Sequence, residues 1–133
     1  MRELYFKEGL LYVSILLRHG EKEIIVDDVI VDTGASHTII LSDYLAELDV
    51  ELSDTDELVK SSGYGGMICG AVRKKMDRME VGDMAKEDMK IDFGVIDPYD
   101  RINGLLGLDF LKSARAVIDL DSLVIFEKNR KRE

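Results

Sequence analysis

The residues best suited to chemistry are an aspartate set directly behind an apolar run and the small residues that follow it. Asp32 comes after Val29-Ile30-Val31 and opens the stretch Asp32-Thr33-Gly34-Ala35-Ser36. An ionisable group at the edge of a core is the usual setting of a functional acid. Gly34 permits a tight turn and a close approach of backbone to a ligand. The hydroxyls of Thr33 and Ser36 can hydrogen-bond a carboxylate or a neighbouring backbone group. A tripeptide such as Asp-Thr-Gly also arises by chance, so its position behind a buried strand carries the weight.

Other segments invite chemical readings that mostly fail. Gly63-Tyr64-Gly65-Gly66 is the densest glycine stretch. It is not a phosphate loop, because no Lys-Ser/Thr follows. It is not a dinucleotide fingerprint, because Ile68 stands where a third spaced glycine is required. A simple hairpin tip and a mobile lid both fit it. Asp92-Phe93-Gly94 matches a kinase triplet, but the chain has no His-Arg-Asp segment, so a strand end is expected there. Leu105-Leu106-Gly107-Leu108-Asp109-Phe110-Leu111 reads as a core strand turning into a helix at Gly107. Asp109 then falls in the first helical turn, where the dipole favours negative charge. His19 and His37 are too far apart for a helical zinc pair, and Cys69 is the only cysteine. No metal site and no disulfide are expected.

Strands must position these residues. Leu11, Val13, Ile15 and Leu17 alternate as in a strand with one buried face. A turn at Arg18-His19-Gly20-Glu21 leads to a second strand over 22–26, and Asp27-Asp28 reads as a polar break. Val29-Ile30-Val31 is a short apolar run, as in a strand buried on both faces. Residues 37–41 resume a β-branched pattern. Ser42 is a good N-cap for a short helix over about 43–48, with Tyr44, Leu45 and Leu48 on one side. Further strands are expected over 71–81, 89–96, 116–120 and 123–126. The class is mostly β, with one or two short helices.

The chain's 133 residues suit a single domain over 1–133, with a core of about 11–126 and a charged tail at 127–133. Hydrophobic residues at 46% and charged residues at 34% are globular proportions. The formal charge of −9 repels phosphate backbones, so no nucleic-acid partner is expected. No apolar run reaches the roughly 18 residues of a membrane span, and the apolar run at 10–17 lacks a cleavage site. No membrane partner is expected, and the expected location is cytoplasmic.

In order and spacing, these pieces resemble the retropepsin-like aspartic proteases, of the retroviral-type, single-domain kind found in bacteria. Val31-Asp32-Thr33-Gly34-Ala35-Ser36 is similar to the family's active-site loop, the glycine segment to its flap, and Leu105-Leu106-Gly107 to its second signature. Leu108-Asp109-Phe110-Leu111 is typical of the single-domain members, and the likeness runs from about Leu11 to Phe126. The resemblance implies a closed acid-protease barrel that is homodimeric. It assigns Asp32 as the catalytic carboxylate. Thr33 would bond across to the partner's loop. Gly34 and Ala35 would lend backbone groups to carboxylate and substrate. Ala35 and Ser36, with the flap residues Tyr64, Gly65, Gly66, Met67 and Ile68, would contact a peptide or protein substrate. Leu106 and Gly107 would support the loop from below. No metal and no cofactor are implied.

Such proteases use two carboxylates that share a proton, one activating water and the other hydrogen-bonding the carbonyl oxygen. This sequence has one Asp-Thr-Gly. An active enzyme of this kind therefore needs Asp32 from each of two copies on a two-fold axis. A weakly active or inactive peptide-binding dimer of the same fold is the alternative. Two features depart from the retroviral pattern. The chain is longer between Asp32 and the flap and between the flap and Leu105. Its tail, Lys128-Asn129-Arg130-Lys131-Arg132, is too polar to interleave with a partner as retroviral termini do. Doubling the −9 in a dimer argues against a highly acidic substrate near the cleft.

Overall fold

The computed structural model describes residues 1–62, 68–96 and 101–128. The flap residues Tyr64, Gly65, Gly66 and Met67 lie outside the described residues, as does most of the basic tail.

Alternating apolar residues build β3 (Leu10–His19) and β4 (Lys22–Val31), joined by a turn at Gly20 with φ of 60°. The expected break at Asp27-Asp28 is absent, because both residues lie inside β4. Asp28 takes φ of 57°, the ladder shifts register between Val13 and Ile15, and Ser14 Oγ donates to the Asp27 carboxylate. A bulge absorbs the polar pair, so the strand runs on to Asp32.

β5 (Ile39–Leu41) is followed by a short helix, α1 (Tyr44–Glu47). Its N-cap is Asp43 and not the expected Ser42, and no side chain caps it. The Ser42 N–H donates to the Gly94 carbonyl (3.0 Å) and its own carbonyl accepts from Leu45 N. Ser42 thus still belongs to the strand side, and the helix begins later. Leu45 and Leu48 are buried.

β6 (Glu57–Ser62) pairs with the start of the long β7 (Ile68–Val81), which turns at Gly82 into β8 (Met84–Gly94). β9 (Gly104–Leu106) runs into α2 (Leu108–Ser113), then β10 (Ala116–Asp119) and β11 (Val124–Glu127). Two short strands, β1 (Arg2–Glu3) and β2 (Tyr5–Lys7), precede β3.

The main sheet has the order β2-β3-β4-β9-β5-β8-β7-β6. Pairing of β3 with β7, as in Leu17↔Met79, closes it into a barrel. β4 and β9 are parallel neighbours, with Val31 opposite Leu106. A second, three-stranded sheet has the order β1-β11-β10, so the N-terminal strand lies beside a C-terminal strand of the same chain. Leu4 and Ile125 join Met79, Phe93 and Phe110 in one cluster, so the two sheets share a core.

The strands that flank the Asp32 loop are buried on both faces. Val29, Ile40 and Leu106 pack into the main core, while their neighbours Ile30, Ile39 and Leu105 pack into a second cluster with Tyr12, Ile96 and Ile102. This explains the unbroken apolar runs in the sequence. Among the described residues no helix is long and apolar enough to cross a membrane.

Candidate active site

Asp32 leaves β4 still attached to its neighbour: its N–H donates to the Leu106 carbonyl at 3.0 Å. The chain then turns back at once. Ala35 N donates to the Asp32 carbonyl (3.1 Å), and Gly34 N donates to Asp32 Oδ1 (2.9 Å). The second bond fixes the direction of the carboxylate. A Cβ at Gly34 would come 3.2 Å from Oδ1, so the small residue gives the carboxylate its room. Asp32 and Ala35 are half-buried, and Thr33, Gly34 and Ser36 are exposed. The carboxylate thus borders solvent on a loop whose backbone is fixed. Ala35 uses its backbone groups within the chain, since its carbonyl accepts from Leu108 N at 2.8 Å.

Beneath the loop, Leu106 is fully buried, and Gly107 touches backbone on two sides. A Cβ at Gly107 would fall 2.7 Å from the His37 carbonyl carbon and 2.9 Å from the Ala35 oxygen. Neither atom can move without moving the loop, so glycine is required here. Gly107 N donates to Thr38 Oγ1 at 3.1 Å.

Thr38 and Asp109 were not marked as site residues by the sequence, yet they fasten the loop's far end. Asp109 Oδ2 accepts from Thr38 N (2.9 Å), and Oδ1 accepts from Thr38 Oγ1 (2.8 Å) and Phe110 N (2.8 Å). The Thr38 carbonyl accepts from Asp92 N at 3.1 Å. Thr38 is fully buried with its polar groups satisfied. Asp109 in the first turn of α2 is a signal that helix-dipole reasoning uses only in part.

A cavity of about 250 Å³ lies against the loop, between residues 34–37 and the pair Arg73–Asp92, with Lys60 also on its wall. Asp92 is 2% exposed, and Arg73 grips it through Nε to Oδ1 (2.7 Å) and Nη2 to Oδ2 (3.2 Å). The bond to Asp92 is the main cause that raises the Arg73 guanidinium above its ordinary range. A buried carboxylate held by a bidentate arginine is a satisfied charge. Asp92 and Asp109 are therefore both committed to partners within the chain.

Residues 17–110 match the profile of a family described as Aspartyl protease. The chain belongs to the aspartyl protease family. Solved structures place this family member's fold more closely. It is similar to a retropepsin-like aspartic protease from Rickettsia conorii, with a TM-score of 0.62 and 21% identity over 94% of this chain and 87% of that one. It is also similar to the retroviral protease-like domain of Ddi1 from Leishmania major, with a TM-score of 0.62 and 20% identity over 92% of this chain and 91% of that one. The fold of this aspartyl protease family member is thus retropepsin-like: a mostly β closed barrel with two short helices among the described residues. No curated protein matches the sequence.

In this retropepsin-like barrel the structure brings Asp32, Thr33, Gly34, Ala35, Ser36, Leu106 and Gly107 into one loop and its support. Ile68 begins β7 opposite Ser62.

Proposed function

We propose that the chain is an aspartic endopeptidase that works as a homodimer, each copy supplying one Asp32. The observation that carries this is the Asp32 carboxylate, held by Gly34 N at 2.9 Å on a fixed loop at the solvent border. Peptide hydrolysis of this kind needs one ionised and one protonated carboxyl group. The ionised one takes a proton from water as the water attacks the carbonyl carbon, and the protonated one hydrogen-bonds the carbonyl oxygen. The two titrate as a unit. Asp109 and Asp92 are engaged by Thr38 and Arg73, which supports a second carboxyl group from another chain. Exposed Thr33, next to Asp32, is free to meet a partner's loop. The substrate is a peptide or protein. The site of action is the cytoplasm, where a single thiol such as Cys69 stays reduced.

The test is cleavage of a mixed peptide library by the protein and by Asp32→Asn. Cleavage that a pepstatin-type inhibitor blocks, and that Asp32→Asn abolishes while circular dichroism stays unchanged, is the expected result. Cleavage that persists in Asp32→Asn would refute the assignment. Peptide binding without cleavage, unaffected by that substitution, would point instead to a binding dimer.

A further inference from the structure

Given an endopeptidase as proposed above, we infer that Arg73 selects substrates with a carboxylate side chain near the cut bond, and that Glu57 occupies that carboxylate's place in the free protein. The cavity that Arg73 lines opens beside Gly34, Ala35 and Ser36, the residues that follow Asp32 and Thr33 in the loop. Two of the guanidinium nitrogens are spent on buried Asp92, which anchors the group. The third, Nη1, donates to Glu57 Oε2 at 3.2 Å among the described residues. The Glu57 side chain is 51% exposed, whereas that of Arg73 is 19% exposed. An ion pair with one partner so exposed contributes little to stability, so an incoming carboxylate can take Glu57's place. A charge-assisted hydrogen bond from Nη1 favours a carboxylate over a neutral amide.

Charge supports the same assignment. The chain as a whole carries −9, which disfavours acidic substrates at long range. The cavity wall is a local exception: its cations are Lys60 and Arg73, and its anion, Asp92, is already neutralised by Arg73. A two-fold dimer would hold two such cavities, one on each side of the paired aspartates. The preference should then show at one position on either side of the cut.

The experiment takes a peptide the protein cleaves and replaces each residue in turn by Glu or by Gln. The readout is the ratio of kcat/KM for the Glu peptide to that for the Gln peptide. A role confined to holding the fold would leave this ratio unmoved. Wild-type protein should favour Glu at one position on each side of the cut. Glu57→Gln, which frees Nη1 and leaves Asp92 paired, should raise that ratio about two- to five-fold. Ratios near one throughout, or a ratio that Glu57→Gln leaves unchanged, would overturn the assignment while the endopeptidase stands. A protein that cleaves no peptide would overturn both.

Discussion

Gly107 has no side chain, and the Asp32 loop closes over the space this leaves. Gly107→Ala would drive a methyl group into the backbone of Ala35 and His37, atoms that cannot yield singly. Its expected cost is about 1–3 kcal/mol, typical of overpacking. Thermal unfolding should register it, and peptide cleavage should fall with it because the loop must shift. Asp109→Asn should act from the other end of the loop. An amide has one acceptor oxygen, so one of the bonds from Thr38 and Phe110 is lost or replaced by a clash of N–H groups. A hydrogen bond to a charged group contributes about 1.5–3 kcal/mol, and a loss of that size is expected in denaturant titration. Asp32→Asn is the contrast. Its amide oxygen can still accept from Gly34 N, so stability should stay within about 0.5 kcal/mol of wild type. Asp32, Gly34 and Gly107 were legible in the sequence because residue type and local order define what each does. Thr38 and Asp109 were not, because they meet across a separation of 71 residues, and the antiparallel pairing of β5 with β9 is what brings them together.

The elements that carry the loop were legible through period and composition. The end of β4 (Val29-Ile30-Val31), β5 and β9 read as short apolar runs, and each sends alternate side chains into two clusters. Asp27-Asp28 misled because a bulge depends on the opposite strand, here Ser14, which no local window contains. Ser42 misled because its backbone was already bonded to β8. The loop before β6 shows how the flap-side strands are tied down. Lys74 on β7 donates to the Asp56 carboxylate and to the Glu51 carbonyl, and Ser53 N donates to Asp56. The bond from Lys74, followed by that from Ser53, holds the Asp56 carboxyl below the usual carboxylate range. A carboxyl depressed on folding binds its proton more weakly in the folded chain than in the unfolded one. The stabilisation is therefore complete above the ordinary carboxylate pKa and is lost as pH falls through the lowered value. Asp56→Asn should lower Tm at neutral pH and narrow the gap between variant and wild type as the solution is acidified. A gap independent of pH would show that Asp56 acts only through hydrogen bonding.

At the scale of the whole molecule, two sheets share one core, and β1 and β11 are neighbours, with Arg2 opposite Ile125. The polar tail over 129–133 lies outside the described residues, and the strand before it, β11, lies between β10 and the chain's own β1. The sequence carries one Asp-Thr-Gly, so the proposed paired site would belong to two molecules. Specific activity should accordingly rise with protein concentration until dimers dominate, as active-site titration at several dilutions would reveal. The most direct measurement mixes wild-type and Asp32→Asn chains in equal amounts, unfolds and refolds them together, and reads peptide cleavage. If the working site takes one carboxylate from each chain, only pairs of wild-type chains cleave, and activity falls to about a quarter of that of the same total amount of wild type. Activity of about half would mean that each chain works alone, and would contradict the shared site.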